Sequence, residues 1–220
     1  MSETEKEVQE CIGRYGMTPP VFFESLGLFD FGGGIFHGVH VTQEDYEVFK
    51  RRGIAVVTNP ASNGKLASGM APIKDYLEKN ITMAIGTDGA SSNNSLDMFK
   101  EMFLALVFSN LREKDASSVS ADNILRMATV GGAQVMGLVD SDVLACGKKA
   151  DIIMLDLGQP NMHPFHNIVN NIVYSGSKLN IKMTMIHGKI LYENGNYYVD
   201  EKKEAIYDQC KEIAERLIAK

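Results

Sequence analysis

The stretch Gly34–Gly86, GIFHGVHVTQEDYEVFKRRGIAVVTNPASNGKLASGMAPIKDYLEKNITMAIG, changes its hydrophobic period repeatedly. Short runs rich in β-branched residues at Gly34–Val41, Ile54–Thr58 and Ile81–Gly86 read as strands, each followed by a polar or glycine-containing loop. Between them Thr42–Arg52, with a threonine placed to cap, and Pro72–Lys79 read as helices. Strands alternating with helices predict an α/β fold of right-handed βα units around a parallel sheet or barrel. In such folds chemistry gathers at the carboxyl ends of the strands.

Downstream, Asp88–Ser95 reads as a loop and Leu96–Lys114 as a long helix. Its apolar residues Met98, Phe99, Met102, Phe103, Leu106, Val107 and Leu111 step by three and four. Further helices are expected at Ser120–Ala128 and Gly131–Gly137, as cladding of the sheet. Near Lys148 the character changes. Ala150–Leu155, Ile168–Tyr174, Ile181–Ile186, Lys189–Glu193 and Tyr197–Val199 read as strands of antiparallel type, with a turn at Gly195–Asn196 and a last helix over Glu201–Ala219. The expected division is therefore a βα region over 1–147 and a small β region with a terminal helix over 148–220.

The 220 residues carry 28 acidic and 22 basic side chains, a net charge of −6, without a clustered basic tract. That excludes the usual electrostatic footprint of a nucleic-acid binder and a polybasic membrane anchor. No apolar run approaches a membrane span, and the acidic start lacks the basic and apolar character of a signal peptide. Cys11, Cys146 and Cys210 are odd in number and lack metal-ligand spacing, which fits a reducing cytoplasm.

Several side chains invite a chemical reading, and each has a plainer one. His37 lies three residues before His40, so a regular strand would send the two rings to opposite faces, leaving one of them structural. Asp88 follows Thr82, Ala84 and Gly86 on one face of its strand and would project at the sheet's carboxyl end, although Asp-Gly alone is more often a turn. Glu3 sits in an acidic segment with Ser2 or Thr4 as helix cap, where compensation of the helix dipole is the ordinary role. Asn59–Asn63 reads as a polar turn and Gly32–Gly34 as a flexible entry loop, which is no phosphate loop without Gly-Lys-Ser/Thr after it.

The combination is more specific than its parts. NPASNGKLASGMAP at Asn59–Pro72, IGTDGASSNNSLDMFKEM at Ile85–Met102, FHGVHV at Phe36–Val41 and GKKADIIMLDL at Gly147–Leu157 occur in order. With them the chain resembles the metal-dependent amidohydrolase superfamily, in its branch of methylthioadenosine/S-adenosylhomocysteine deaminases and triazine chlorohydrolases. The resemblance implies the C-terminal part of a (β/α)8 TIM barrel plus the C-terminal strands of a small β-sandwich domain. It also implies one divalent metal ion, zinc foremost, with iron or nickel as alternatives. By similarity, Glu3 matches the acid that shuttles a proton to a ring nitrogen, His37 the sixth-strand histidine beside the metal, and Asp88 the eighth-strand ligand and general base. Glu3 and Asp88 would thus meet substrate, and Asp88 and His37 the metal.

The departures from the family are large. Its members are commonly about twice this length, and no His-x-His is present. Its His-x-x-Glu motif survives only as Met1-Ser2-Glu3. The chain is thus expected to begin after the fifth barrel strand, and Glu3, with no neighbour to hold it, to lie on a mobile, exposed segment. The implied activity of the intact parent is hydrolytic deamination of an adenosine-type thioether. Removal of chloride or an amino group from a triazine, guanine or another heterocycle is the alternative. For the isolated chain a non-catalytic fragment is expected, one that binds its missing N-terminal half or self-associates, with a homo-oligomer as a further expectation.

Overall fold

The computed structural model describes residues Met1–Ala219, which fall into two compact units. The first comprises Met1–Lys148 and Leu157–Asn180; the second comprises Lys149–Asp156 and the described residues from Ile181 onward.

The first unit is built on three parallel strands, β1 (Gly33–Phe36), β2 (Ile54–Thr58) and β3 (Met83–Ile85), in spatial order β1-β2-β3. Gly34 faces Ala55 and Val56 faces Met83 in the register. Every residue of β2 is buried, as its unbroken apolar run requires of a strand covered on both faces. Helix α1 (Glu5–Tyr15) starts at Thr4, whose hydroxyl accepts the Glu7 N–H, and α2 (Pro19–Ser25) starts on a proline. Helix α3 (Gln43–Arg52) has a full capping box between Thr42 and Asp45, acids in its first turn, bases in its last, and Gly53 in the left-handed conformation after it. These signals made α3 legible in advance.

Short helices α4 (Pro60–Lys65), α5 (Ile73–Glu78) and α6 (Ala90–Asn93) flank β2 and β3 in sequence, and α7 (Met98–Glu113) begins at Asp97, whose carboxylate accepts from Phe99 N. α7 buries Phe99, Met102, Ala105 and Leu106, one stripe of its surface. Helix α8 (Ala121–Arg126) runs through a π-turn at Met127–Gly131 into α9 (Gly132–Val135). A Cβ on Gly131 would lie 2.1 Å from the Met83 carbonyl oxygen, so glycine is what lets this turn press against β3.

Several expectations are corrected; Asp88–Ser95, for one, is no plain loop, since Ala90–Asn93 forms α6. The strand expected over Gly34–Val41 starts at Gly33 and stops at Phe36, because His37 (φ 74°) and Gly38 (φ 55°) both turn left-handed. A side chain at 38 would meet the Tyr76 hydroxyl at 2.7 Å and Val56 at 2.8 Å. Gly33 and Gly34 are strand residues, not a free loop. Asn59–Asn63 is no simple turn, since Pro60 opens α4. The segment expected as strand Ile168–Tyr174 is helix α10 (Ile168–Ser175) of the first unit. Its paired apolar residues, Ile-Val then Ile-Val across two asparagines, follow a helical period. Asn167 caps it by accepting Asn170 N–H, and Val173 is buried.

The second unit is an antiparallel sheet, β4 (Ile152–Leu155), β5 (Ile181–Ile186), β6 (Lys189–Glu193) and β7 (Asn196–Tyr197), in sequential order. His187-Gly188 and Asn194-Gly195 join the last three strands, all four residues at positive φ, the conformation two-residue hairpin loops demand. The second turn thus falls one residue before its expected place. Helix α11 (Lys203–Ile218) follows. Among the described residues no helix is long and apolar enough to cross a membrane.

Candidate active site

Glu3 does not sit in a helix cap. Thr4 is the cap, and Glu7 takes the first-turn role, its carboxylate accepting the Ser2 and Glu3 N–H groups at 3.0 and 2.8 Å. The preceding backbone is stitched to the chain just after β1: Val39 and His40 N–H both donate to the Ser2 carbonyl at 2.9 Å, and the Met1 amine donates to the Phe36 carbonyl. The expectation of a mobile, exposed segment is therefore overturned. Contacts of high sequence separation, invisible in the sequence, hold it. The Glu3 carboxylate accepts the Ser68 hydroxyl at 2.9 Å and lies 3.7 Å from His37 Nε2.

His37 Nδ1 is 2.8 Å from Asn63 Oδ1 and 3.4 Å from Asn59 Nδ2. The amide oxygen of Asn63 can only accept, so Nδ1–H donates to it, and the Asn59 amide nitrogen, itself a donor, makes no hydrogen bond to that ring nitrogen; Nε2 faces the Glu3 side. His40 is spent elsewhere, donating from Nε2 to the Ser68 carbonyl at 2.7 Å.

Asp88 lies past the end of β3 at φ 60°, outside the strand alternation expected to aim it. Its carboxylate accepts the Ser62 hydroxyl at 2.6 Å and the Gly89 N–H at 2.7 Å. The Ser62 hydrogen bond, aided by the Gly89 amide and the Ser92 hydroxyl, holds the carboxyl below the usual aspartate value against the opposing effect of partial burial.

One segment, Asn59–Ser68, thus reaches all three candidate residues: Ser68 holds Glu3, Asn63 holds His37 with Asn59 beside it, and Ser62 holds Asp88. All four of these side chains belong to buried residues. Reading the stretch as a polar turn missed them. The available signal was a proline directly after Asn59, past a strand that opens with four apolar residues, which makes the following polar residues the start of a buried helix.

The chain matches the model of the amidohydrolase family over residues 1–191. It belongs to the amidohydrolase family. It is 38% identical over 220 residues to a 5-methylthioadenosine/S-adenosylhomocysteine deaminase of Caldanaerobacter subterraneus, covering 99% of this chain and 50% of that protein. A deaminase of the same name from Desulfovibrio desulfuricans is 41% identical over 197 residues, 90% of this chain and 45% of the relative. Among solved structures, an adenosine deaminase from Xanthomonas campestris with bound zinc superposes over 100% of this chain and 50% of its own, at TM-score 0.94 and 30% identity. An atrazine chlorohydrolase from Arthrobacter aurescens complexed with zinc matches 94% of this chain and 46% of its own, at TM-score 0.85 and 25% identity. The chain spans about half the length of the curated relatives it matches. Its parallel strands and their helices are the C-terminal part of a TIM barrel.

The family implies a divalent metal, and the residues present fit part of such a site. A neutral imidazole lone pair and a carboxylate are zinc-type donors. His37 has its other nitrogen fixed by Asn63, the outer support metal-binding histidines use. Asn59 Oδ1, buried just after β2, has no hydrogen-bond partner among the described residues. Among the described residues no group of three His, Cys, Asp or Glu converges.

Proposed function

We propose that this chain carries the proton-transfer half of a metal-dependent aminohydrolase site, acting in the complete protein on an adenosine-type thioether such as 5-methylthioadenosine or S-adenosylhomocysteine. The observation that carries the reading is the convergence of Glu3, His37 and Asp88 on the single segment Asn59–Ser68. The deaminases of Caldanaerobacter and Desulfovibrio support the substrate class.

In this reading His37 Nε2 and Asp88 hold one divalent ion, zinc first, together with ligands from outside this chain. The ion, when bound, lowers the pKa of water. Asp88, kept ionised by Ser62 and Gly89, takes the proton as water adds to the amidine carbon. Glu3, steadied by Ser68, gives a proton to the ring nitrogen and takes one back from the added hydroxyl as the carbonyl forms, while Asp88 passes the water's proton to the amino group, which leaves as ammonia. Asn63 keeps His37 in the tautomer that points its lone pair inward.

The remaining ligands belong to a partner half. β1 and β3 each pair with a strand on one side only, and Phe31 and Phe36 are exposed near β1, a surface suited to the rest of a parallel barrel. Alone, the chain is a non-catalytic fragment, because two donors do not close a zinc site. Free thiols at Cys11, Cys146 and Cys210 agree with a cytoplasmic location. A second reading, chloride or amine removal from a triazine, draws on the similarity to atrazine chlorohydrolase.

The test is ammonia and chloride release by the chain, alone and joined to its complementary half, with zinc. Metal-dependent ammonia release from methylthioadenosine by the joined form only is expected. Release confined to a chlorotriazine would favour the second reading, and equal turnover by the chain alone would end the half-site account.

A further inference from the structure

Glu101 is a carboxylate with no role in the chemistry above, yet its residue is fully buried, at 0% exposure, in the first turns of α7. Among the described residues no Lys, Arg or His forms an ion pair with it. One oxygen accepts the Ala61 backbone N–H at 2.9 Å, and the other accepts Asn93 Nδ2 at 2.7 Å. The same Asn93 nitrogen donates to the Thr87 carbonyl at 2.6 Å, on the residue directly before Asp88. Ala61 directly precedes Ser62, which holds Asp88, and lies two before Asn63, which holds His37.

A buried carboxylate is costly, and burial pushes this one up from its ordinary pKa. A glutamine would fill the same volume but has one accepting oxygen, and its NH2 group would face a second donor. Only a carboxylate satisfies Ala61 and Asn93 together.

We propose that Glu101 is a positioning residue: a buried clamp that ties the segment Asn59–Ser68 to the loop Thr87–Asn93, and so sets Asp88 and His37 in fixed relation. It touches neither reacting atoms nor substrate. Its influence runs through Ala61 to the Ser62 and Asn63 side chains, and through Asn93 to the backbone that carries Asp88. This deepens the proposed half-site but rests on hydrogen bonds that stand whatever the substrate is.

The experiment compares the full chain with its Glu101→Gln and Asn93→Ala variants by amide hydrogen exchange and by ¹⁵N NMR of the His37 ring at fixed pH. Glu101→Gln should speed exchange in both Asn59–Ser68 and Thr87–Ser95 by about tenfold or more, while β2 and α3 change little. It should also move the His37 nitrogens away from the single Nδ1-protonated pattern. Asn93→Ala should loosen Thr87–Ser95 and leave the Ala61 amide protected. If Glu101→Gln does not fold, Asn93→Ala decides alone, and an unaltered Thr87–Ser95 overturns the clamp. So does Glu101→Gln exchange that rises uniformly across the first unit, or a His37 spectrum that does not move. Absence of deaminase turnover in the unaltered joined protein would remove the proposed substrate and leave these readouts, and the clamp, standing.

Discussion

Two polar stretches of this chain meet opposite fates. Asn59–Ser68 buries Asn59, Ser62, Asn63 and Ser68, and each of them faces a candidate active-site residue. Helix α11 is 16 residues long and buries nothing; its ion pairs, such as Lys211–Glu215 at 4.0 Å, run along its own surface. Exposed pairs of that kind contribute little to stability. A polar side chain taken out of water costs free energy unless it is paired, so a chain that buries four of them in ten residues has committed them to particular partners. Polarity in the sequence does not separate the two stretches. Burial does.

The comparison breaks most visibly at the residue that Ser62 holds. Asp88→Asn keeps the shape and loses the charge and basicity. In the joined enzyme turnover should fall by about 10²–10⁴-fold at saturating zinc, with an unchanged circular dichroism spectrum. Near-normal rates would return Asp88 to a turn residue. Next is Asn63→Ala, which leaves His37 without its tautomer partner. Zinc affinity or kcat should drop by about 10–100-fold, read by metal titration and steady-state kinetics, and an unaltered zinc affinity and kcat would reduce Asn63 to a packing residue.

A smaller effect lies away from the site. Glu24 accepts hydrogen bonds from Arg51 and Arg52, which hold its pKa at about 2 rather than the ordinary 4.5. The folded-state pKa is depressed, so this contribution is complete above about pH 4.5 and disappears as the pH falls toward 2. Urea midpoints measured across that window should decline less steeply in Glu24→Gln than in the parent chain; parallel declines would show the pair is not coupled to folding. The least effect belongs to α11. Leu217 is 66% exposed, and Leu217→Ser should alter unfolding free energy by less than about 0.5 kcal/mol. A larger loss would mean that the helix is covered in solution.

Much of the fold was legible because its signals are local. The Thr42–Asp45 capping box and the apolar run that opens β2 each act within a few residues, and the last hairpin turn was misplaced by only one residue. Two of the misreadings share a physical cause. β1 ends early because Tyr76, 38 residues on, holds the Gly38 carbonyl. Glu3 is pinned rather than loose because Ser68, 65 residues on, donates to it. Ile168–Tyr174 failed for a different reason, since paired apolar residues suit both a short strand and a helix until Asn167 is recognised as a cap. In the site, Glu3, His37 and Asp88 could be named from motifs, whereas the partners that Ser62, Asn63 and Glu101 hold could not, because those pairings exist only as contacts.

The central claim is that Glu3, held by the Asn59–Ser68 segment, moves the proton in a deaminase site. The direct measurement is kcat for ammonia release from methylthioadenosine by the joined enzyme, unaltered against Glu3→Gln, alongside the affinity for a neutral purine product. The account predicts a fall in kcat of about 10²-fold or more with product binding little changed. A Glu3→Gln enzyme that turns over at the parent rate would contradict it.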